Sequence, residues 1–279
     1  MQKKFLSGKP YIIPARPEVL TSVINLLQAT EIDVDAVVTQ LHKDVSLYSA
    51  VLATANTPLF SSGAKVTALK QAVMRLGFSK MLTILRIIAL KTALSKAGRL
   101  ERFWDAATET AQLTVKISKI VSKESVEDAY SLGMMHNCGI PLMMEAIAQY
   151  RGFLMNCDAK DIQPLLLREK ELFGFHHFQV STEIARRWLM PENVIQAIRL
   201  QGSPIDAAGL GNSDNESVKF IFCSLLLAKD ISSSYRHYWR IENQQQNVSN
   251  LRPVLDFVGL SETDYLDIRE SALQDMEIS

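Results

Sequence analysis

At 279 residues and 47% hydrophobic content the chain is long enough for one large domain or two lobes, with the apolar share of a globular protein. Thirty basic residues balance thirty acidic ones and no run of five or six Lys/Arg occurs, which removes the long-range field that attracts nucleic acid. Three scattered cysteines without a CxxC pair exclude a disulfide framework and a zinc knuckle and suit a reducing cytoplasm; the opening MQKKFLSGKP lacks a signal peptide's apolar core, and no run is long enough to span a bilayer.

Apolar residues recur at helical spacing almost throughout, so the fold class expected is all-α. Asp44 opens the helix VSLYSAVLATAN. Val66, Leu69, Val73 and Leu76 mark the next helix, with Thr67 as its N-cap and Gly77 as its stop. Ser79 then starts KMLTILRIIALKTAL, apolar on nearly all sides as a central helix would be, although it carries Arg86. GRLERF around Gly98 is the expected joint between two lobes. Ser125 with Asp128, and Ser261 with Asp264, have capping-box spacing, and Pro141 and Pro191 stand where first helical turns begin. Residues 202–217, GSPIDAAGLGNSDNES, form the one clear loop. The last nineteen residues carry six acids against Arg269 alone, read as a solvated helix face or a frayed end.

Chemistry is confined by the presence of only five histidines. His136 lies in SLGMMHNCGIPLM with Asn137 behind it, where an amide keeps the shape of a carboxylate and loses its charge. It reads either as a metal or phosphate contact or as a core histidine bonded to a nearby carbonyl. Of the neighbours His176 and His177 only one can face a given site, since adjacent helical side chains diverge by about 100°, and the other belongs in a cap or at the surface. Glu169 and Glu171 in LLLREKELFGF are acid/base candidates, but a Glu/Lys/Glu run reads more simply as a solvated face. GxSxG, GxxxxGK[ST] and GxGxxG are absent, and Cys138 has no activating histidine in register.

Several stretches, taken in order, resemble the HDOD domain, a relative of the HD metal-dependent phosphohydrolases found in bacterial signalling proteins. IPARPEVL at 13–20 is similar to its Pro-x-x-Pro-x-x-Leu entry. VSLYSAVLATANTPLF at 45–60 resembles its helix ending in Ala-Asn-Ser, and TALKQAVMRLGFSKMLTIL at 67–85 its Ala-(x)3-Leu-Gly segment. ERFWDAATETA, LGMMHNCGIPLM and ELFGFHHFQVSTEIARRWLMPENVIQAI continue the match to about residue 235.

The resemblance implies a small N-terminal helical lobe, residues 10–97, packed on a larger HD-like helical lobe, residues 98–240, followed by an acidic helical tail, residues 241–279. It also implies a broken metal set. Ala106 stands where the first histidine would be, His136–Asn137 where the His-Asp pair would be, and His177, Gln201 and either Lys229 or Asp230 at the later ligand positions. Arg75, Lys80 and Arg86 would border a ligand groove or simply face solvent. The expectation is a cytoplasmic, non-enzymatic regulatory protein that binds a signalling protein or a small ligand in a pocket at Ala106, His136 and His177, with no catalytic residue, no cofactor, no nucleic acid and no membrane. A divalent metal is disfavoured because losing the bridging carboxylate leaves paired cations unneutralised. The alternatives are a metal-dependent phosphohydrolase with a single ion on His136 and His177, and a bare scaffold whose pocket its own side chains fill.

Overall fold

The computed structural model describes residues 9–57, 64–95, 100–122, 126–157, 162–203, 214–238 and 248–278; the side chains of 234–238, 248–249 and 277–278 are not among those described. Every regular element among them is helical. The chain divides into two compact units, Met1–Arg99 and Leu100–Ser279.

The first unit contains α1 (Glu18–Leu27), α2 (Val34–Leu41), α3 (Val45–Ala55), α4 (Leu69–Leu76) and α5 (Phe78–Ala93). The Asp44 carboxylate accepts from the backbone N–H of Ser46 and Leu47 at 2.9 and 3.1 Å and so satisfies two open donors of α3. Asn56 closes the same helix and clamps the chain beyond it. Its amide donates to the carbonyls of Leu52 and Val66, and its Oδ1 accepts from the Val66 N–H at 2.8 Å. Val66, Leu69, Val73 and Leu76 are all buried, as their spacing requires. The boundaries differ slightly from expectation. Ala68, in an extended conformation with no side-chain cap, precedes α4 in place of Thr67, and Gly77 at φ 77° both ends α4 and opens α5, so α5 begins before Ser79. In α5 Arg86 is half-buried; its Nε, and Nη1 of Arg16 nearby, have no hydrogen-bond partner among the described residues. Burial and the like charge of Arg16 lower the Arg86 guanidinium to about 10. Arg75 instead donates to the carbonyl of Ala64 at 2.7 Å.

The second unit contains α6 (Glu101–Val121), α7 (Val126–Met135), α8 (Gly139–Ala146), α9 (Tyr150–Met155), α10 (Ile162–Phe173), α11 (His177–Arg187), α12 (Glu192–Leu200), α13 (Glu216–Tyr238), a 3-10 turn at Val248–Leu251, α14 (Arg252–Val258) and α15 (Glu262–Ile278). Helix α7 lies directly on α6: a Cβ on Gly133 would fall 2.3 Å from the Cα of Ala111, so only glycine permits this crossing. Gly98, Ser125 and residues 204–213 of the expected loop lie outside the described residues, while Glu216 and Ser217 already belong to α13. Pro191 does precede α12, whereas Pro141 is the third residue of α8.

The acidic C-terminal stretch is helical, but it is neither frayed nor merely solvated. Val254, Leu255, Tyr265 and Ala272 are buried in one cluster with Leu113 and Ile117 of α6 and Cys223, Leu227, Ala228 and Ile231 of α13. Ser261 and Asp264 form the expected reciprocal cap, with Ser261 Oγ accepting from the Asp264 N–H at 3.1 Å and Asp264 Oδ2 accepting from the Ser261 N–H at 3.1 Å. Tyr265 then donates its hydroxyl to Asp230 Oδ2 at 2.6 Å. Burying a tyrosine and an alanine among aliphatic side chains outweighs fraying, while Glu262, Asp264, Asp267, Glu270 and Asp275 are exposed.

Candidate functional site

Four segments of the second unit converge around His136. Helix α7 ends there, and a tight turn through Asn137 and Cys138 leads into α8. A Cβ on Gly139 would lie 2.3 Å from the carbonyl oxygen of His177, and the Gly139 N–H donates to Ser181 Oγ at 2.8 Å. This close approach locks the turn after His136 onto the start of α11. Gln201, just beyond α12, and Lys229 on α13 complete the cluster.

His136 is buried, and its Nδ1 bonds the carbonyl of Gly133 at 2.7 Å. Its own carbonyl accepts from Gln201 Nε2 at 3.3 Å, and Gln201 Oε1 accepts from Lys229 Nζ at 3.3 Å. The Lys229 ammonium also stands 5.5 Å from the centre of the Phe178 ring. No ion pair links it to a carboxylate among the described residues. Burial lowers its amine to about 8. A cavity of about 140 Å³ opens beside it, with Phe178, Gln201, Ser203, Phe222, Leu226 and Lys229 in its walls.

The two neighbouring histidines divide the roles that helical geometry allows. His176 is the N-cap of α11: its ring accepts from the Gln179 N–H, and the Gln179 side chain accepts from the His176 N–H at 3.0 Å. His177 is buried, with Nδ1 at 2.8 Å and its backbone N–H at 2.9 Å from Glu169 Oε2. Tyr150 donates its hydroxyl to the other carboxylate oxygen at 2.5 Å. The solvated-face expectation therefore fails for Glu169, which has no exposed surface, and holds for Glu171. Burial pushes the Glu169 carboxyl up, but the bonds and charge of His177 and the Tyr150 hydroxyl outweigh it and hold the group below the usual range. Burial beside Glu169 raises the Tyr150 phenol well above its ordinary value.

The remaining predicted positions separate. Ala106 is half-buried on α6; it presents only a methyl group, and its carbonyl accepts from the Thr110 hydroxyl at 2.8 Å. Asn137 Oδ1 is buried without a hydrogen-bond partner among the described residues. Asp230 turns away toward Tyr265 and Arg269, so of the two candidates on α13 it is Lys229 that meets Gln201. Burial pushes the Cys138 thiol up to about 12, the opposite of an activated nucleophile.

A family model described as HDOD domain matches residues 13–204. The chain belongs to the HDOD family. An uncharacterized protein of Treponema pallidum (strain Nichols) is 22% identical over 189 residues, 67% of this HDOD chain, which spans only 37% of that relative's length. Among solved structures, a protein of Shewanella amazonensis provisionally described as a phosphohydrolase superposes with a TM-score of 0.66 at 21% identity, covering 94% of this chain and 90% of its own. One of Marinobacter aquaeolei, provisionally described as a signal transduction protein, gives 0.65 at 20% identity, covering 94% and 57%. These likenesses establish the shared all-helical fold.

The HD relationship raises a two-metal centre, which needs several carboxylate and imidazole ligands and a bridging acid. The described residues of this HDOD chain do not fit one. No group of three or more His, Cys, Asp and Glu side chains converges among the described residues. Glu169 is committed to His177 and Tyr150, and Asp230 to Tyr265. Asn137 brings one neutral oxygen, and the side chain bonded to Gln201 is the ammonium of Lys229, a donor and not a metal ligand.

Proposed function

We propose that this HDOD chain is a non-enzymatic signal-transduction or regulatory module that acts by binding a small ligand or a partner, with its HD-type metal site degenerate. One observation supports the reading: Lys229 donates to Gln201, which in turn donates to the His136 carbonyl, so a protein cation is tied to the residues that the resemblance would assign to metal binding. Two unit charges of like sign about 4 Å apart repel by about 4 kcal/mol at a protein-surface dielectric, so the ammonium opposes a divalent ion. Asn137 supplies no charge to offset it. The cytoplasm is the proposed location; the three cysteines are free, and no helix among the described residues is long and apolar enough to cross a membrane.

Hydrolysis of bis(p-nitrophenyl) phosphate with added Mn²⁺ tests the reading. The rate is expected to match that of a His136→Ala variant; a metal-dependent rate that this variant loses would overturn the proposal. The Glu169–His177 pair favours the second reading, a single-ion phosphohydrolase on His136 and His177, because a carboxylate on one ring nitrogen is the arrangement that orients a ligating imidazole. The same assay decides between the two.

A further inference from the structure

We propose that the cavity beside Lys229 binds a small organic anion: a flat apolar body bearing one carboxylate or phosphate, whose charge the Lys229 ammonium meets. This rests on reading the chain as a binding module and specifies the ligand of that same site.

Size comes first. A cavity of about 150 Å³ with apolar walls accommodates benzene, and the one here has about 140 Å³. It therefore has room for an apolar body the size of a single ring or a short branched chain. Phe178, Phe222 and Leu226 supply apolar walls for such a body.

Charge comes second. An ammonium has three N–H donors, and among the described residues Lys229 makes only the bond to Gln201 Oε1. The Phe178 ring at 5.5 Å attracts the cation but does not neutralise it. No carboxylate of the described residues pairs with it; Glu169 and the adjoining Asp230 each have their own partners. A half-buried cation without a counter-ion among the described residues is costly, and an anionic ligand would supply one. A cationic ligand would be repelled, and a neutral one would leave the charge uncompensated. Gln201 adds positional definition, because its two hydrogen bonds fix the amine relative to the turn after His136.

The test is calorimetric titration of the full chain with benzoate, phenyl phosphate and the neutral isostere benzamide. Benzoate or phenyl phosphate is expected to bind at least about tenfold more tightly than benzamide, and the tighter of the two assigns the anionic group. Lys229→Met is expected to lose that preference. Leu226→Trp, which fills the cavity and leaves the charge, is expected to weaken all three and keeps the test available if Lys229→Met does not fold. Equal binding of benzamide and the anions, no binding of any, or a preference that survives Lys229→Met overturns the inference. The same samples are assayed with Mn²⁺ and bis(p-nitrophenyl) phosphate. Metal-dependent turnover would sink the non-enzymatic reading itself, whereas absent turnover with no anion preference sinks only the ligand class.

Discussion

Replacing Lys229 with methionine separates the cost of the uncompensated charge from everything else at the site. Methionine keeps the unbranched apolar stem and removes the ammonium. Burial lowers the folded amine from 10.5 to about 8, and at about 1.4 kcal/mol per pH unit this is a destabilisation of about 3 kcal/mol wherever both the folded and unfolded amines are protonated. Against this the variant loses the bond to Gln201, worth about 1 kcal/mol. Below about pH 8 Lys229→Met should therefore be the more stable chain by about 2 kcal/mol. Between about 8 and 10.5 the unfolded wild type binds the additional proton, so wild-type stability rises with pH relative to the variant, and the advantage should vanish and then reverse by about 1 kcal/mol. Urea unfolding of both proteins at pH about 7 and about 9.5 measures the difference, in which all other titrating groups cancel. A difference that stays constant across this range would refute the assignment of Lys229 as a buried, unpaired cation.

Three further substitutions probe the scaffold. Glu169→Gln removes the charge of a buried carboxylate that accepts from His177 and Tyr150 and should cost about 1–3 kcal/mol at neutral pH; because the Glu169 carboxyl is held below its ordinary range, the gap between the two proteins should close as pH falls through its folded pKa, and a pH-independent gap would contradict these bonds. Gly139→Ala drives a methyl into the His177 carbonyl at 2.3 Å and should cost about 1–3 kcal/mol in urea unfolding, together with a shifted His177 imidazole resonance; an unchanged resonance would contradict the close approach. Leu189 is a half-exposed residue at φ 55° after α11, so Leu189→Gly should raise stability by about 0.5–1 kcal/mol, and a loss of that size would show that the side chain is engaged.

Local chemistry was readable from the sequence wherever the cause was local. Asp44 caps α3, Ser261 and Asp264 cap α15, and the 66, 69, 73, 76 spacing buries one face, because each effect acts over a single turn. The Thr67 and Ser79 boundaries missed by one residue for a similarly local reason: Gly77 serves both α4 and α5, and no side chain caps either start. The division of His176 and His177 into a cap and a buried ring also followed from the angle between adjacent positions.

The site's charge arrangement was less legible. Glu169 sits in REKE, a pattern that describes a solvated face, and only the approach of His177 at the α11 N-terminus and of Tyr150 on α9 gives its carboxylate two donors and one respectively. Likewise the choice between Lys229 and Asp230 depends on α15, whose Tyr265 draws Asp230 away. The acidic stretch that carries Tyr265 reads as solvent-facing because its buried residues are few and far apart.

Metal content tests the central claim most directly. After purification without chelator and equilibration with Mn²⁺ followed by desalting, the chain should retain far less than one ion, and Lys229→Met, which removes the opposing charge but adds no ligand, should retain no more. Two ions per chain, lost in His136→Ala, would contradict the account.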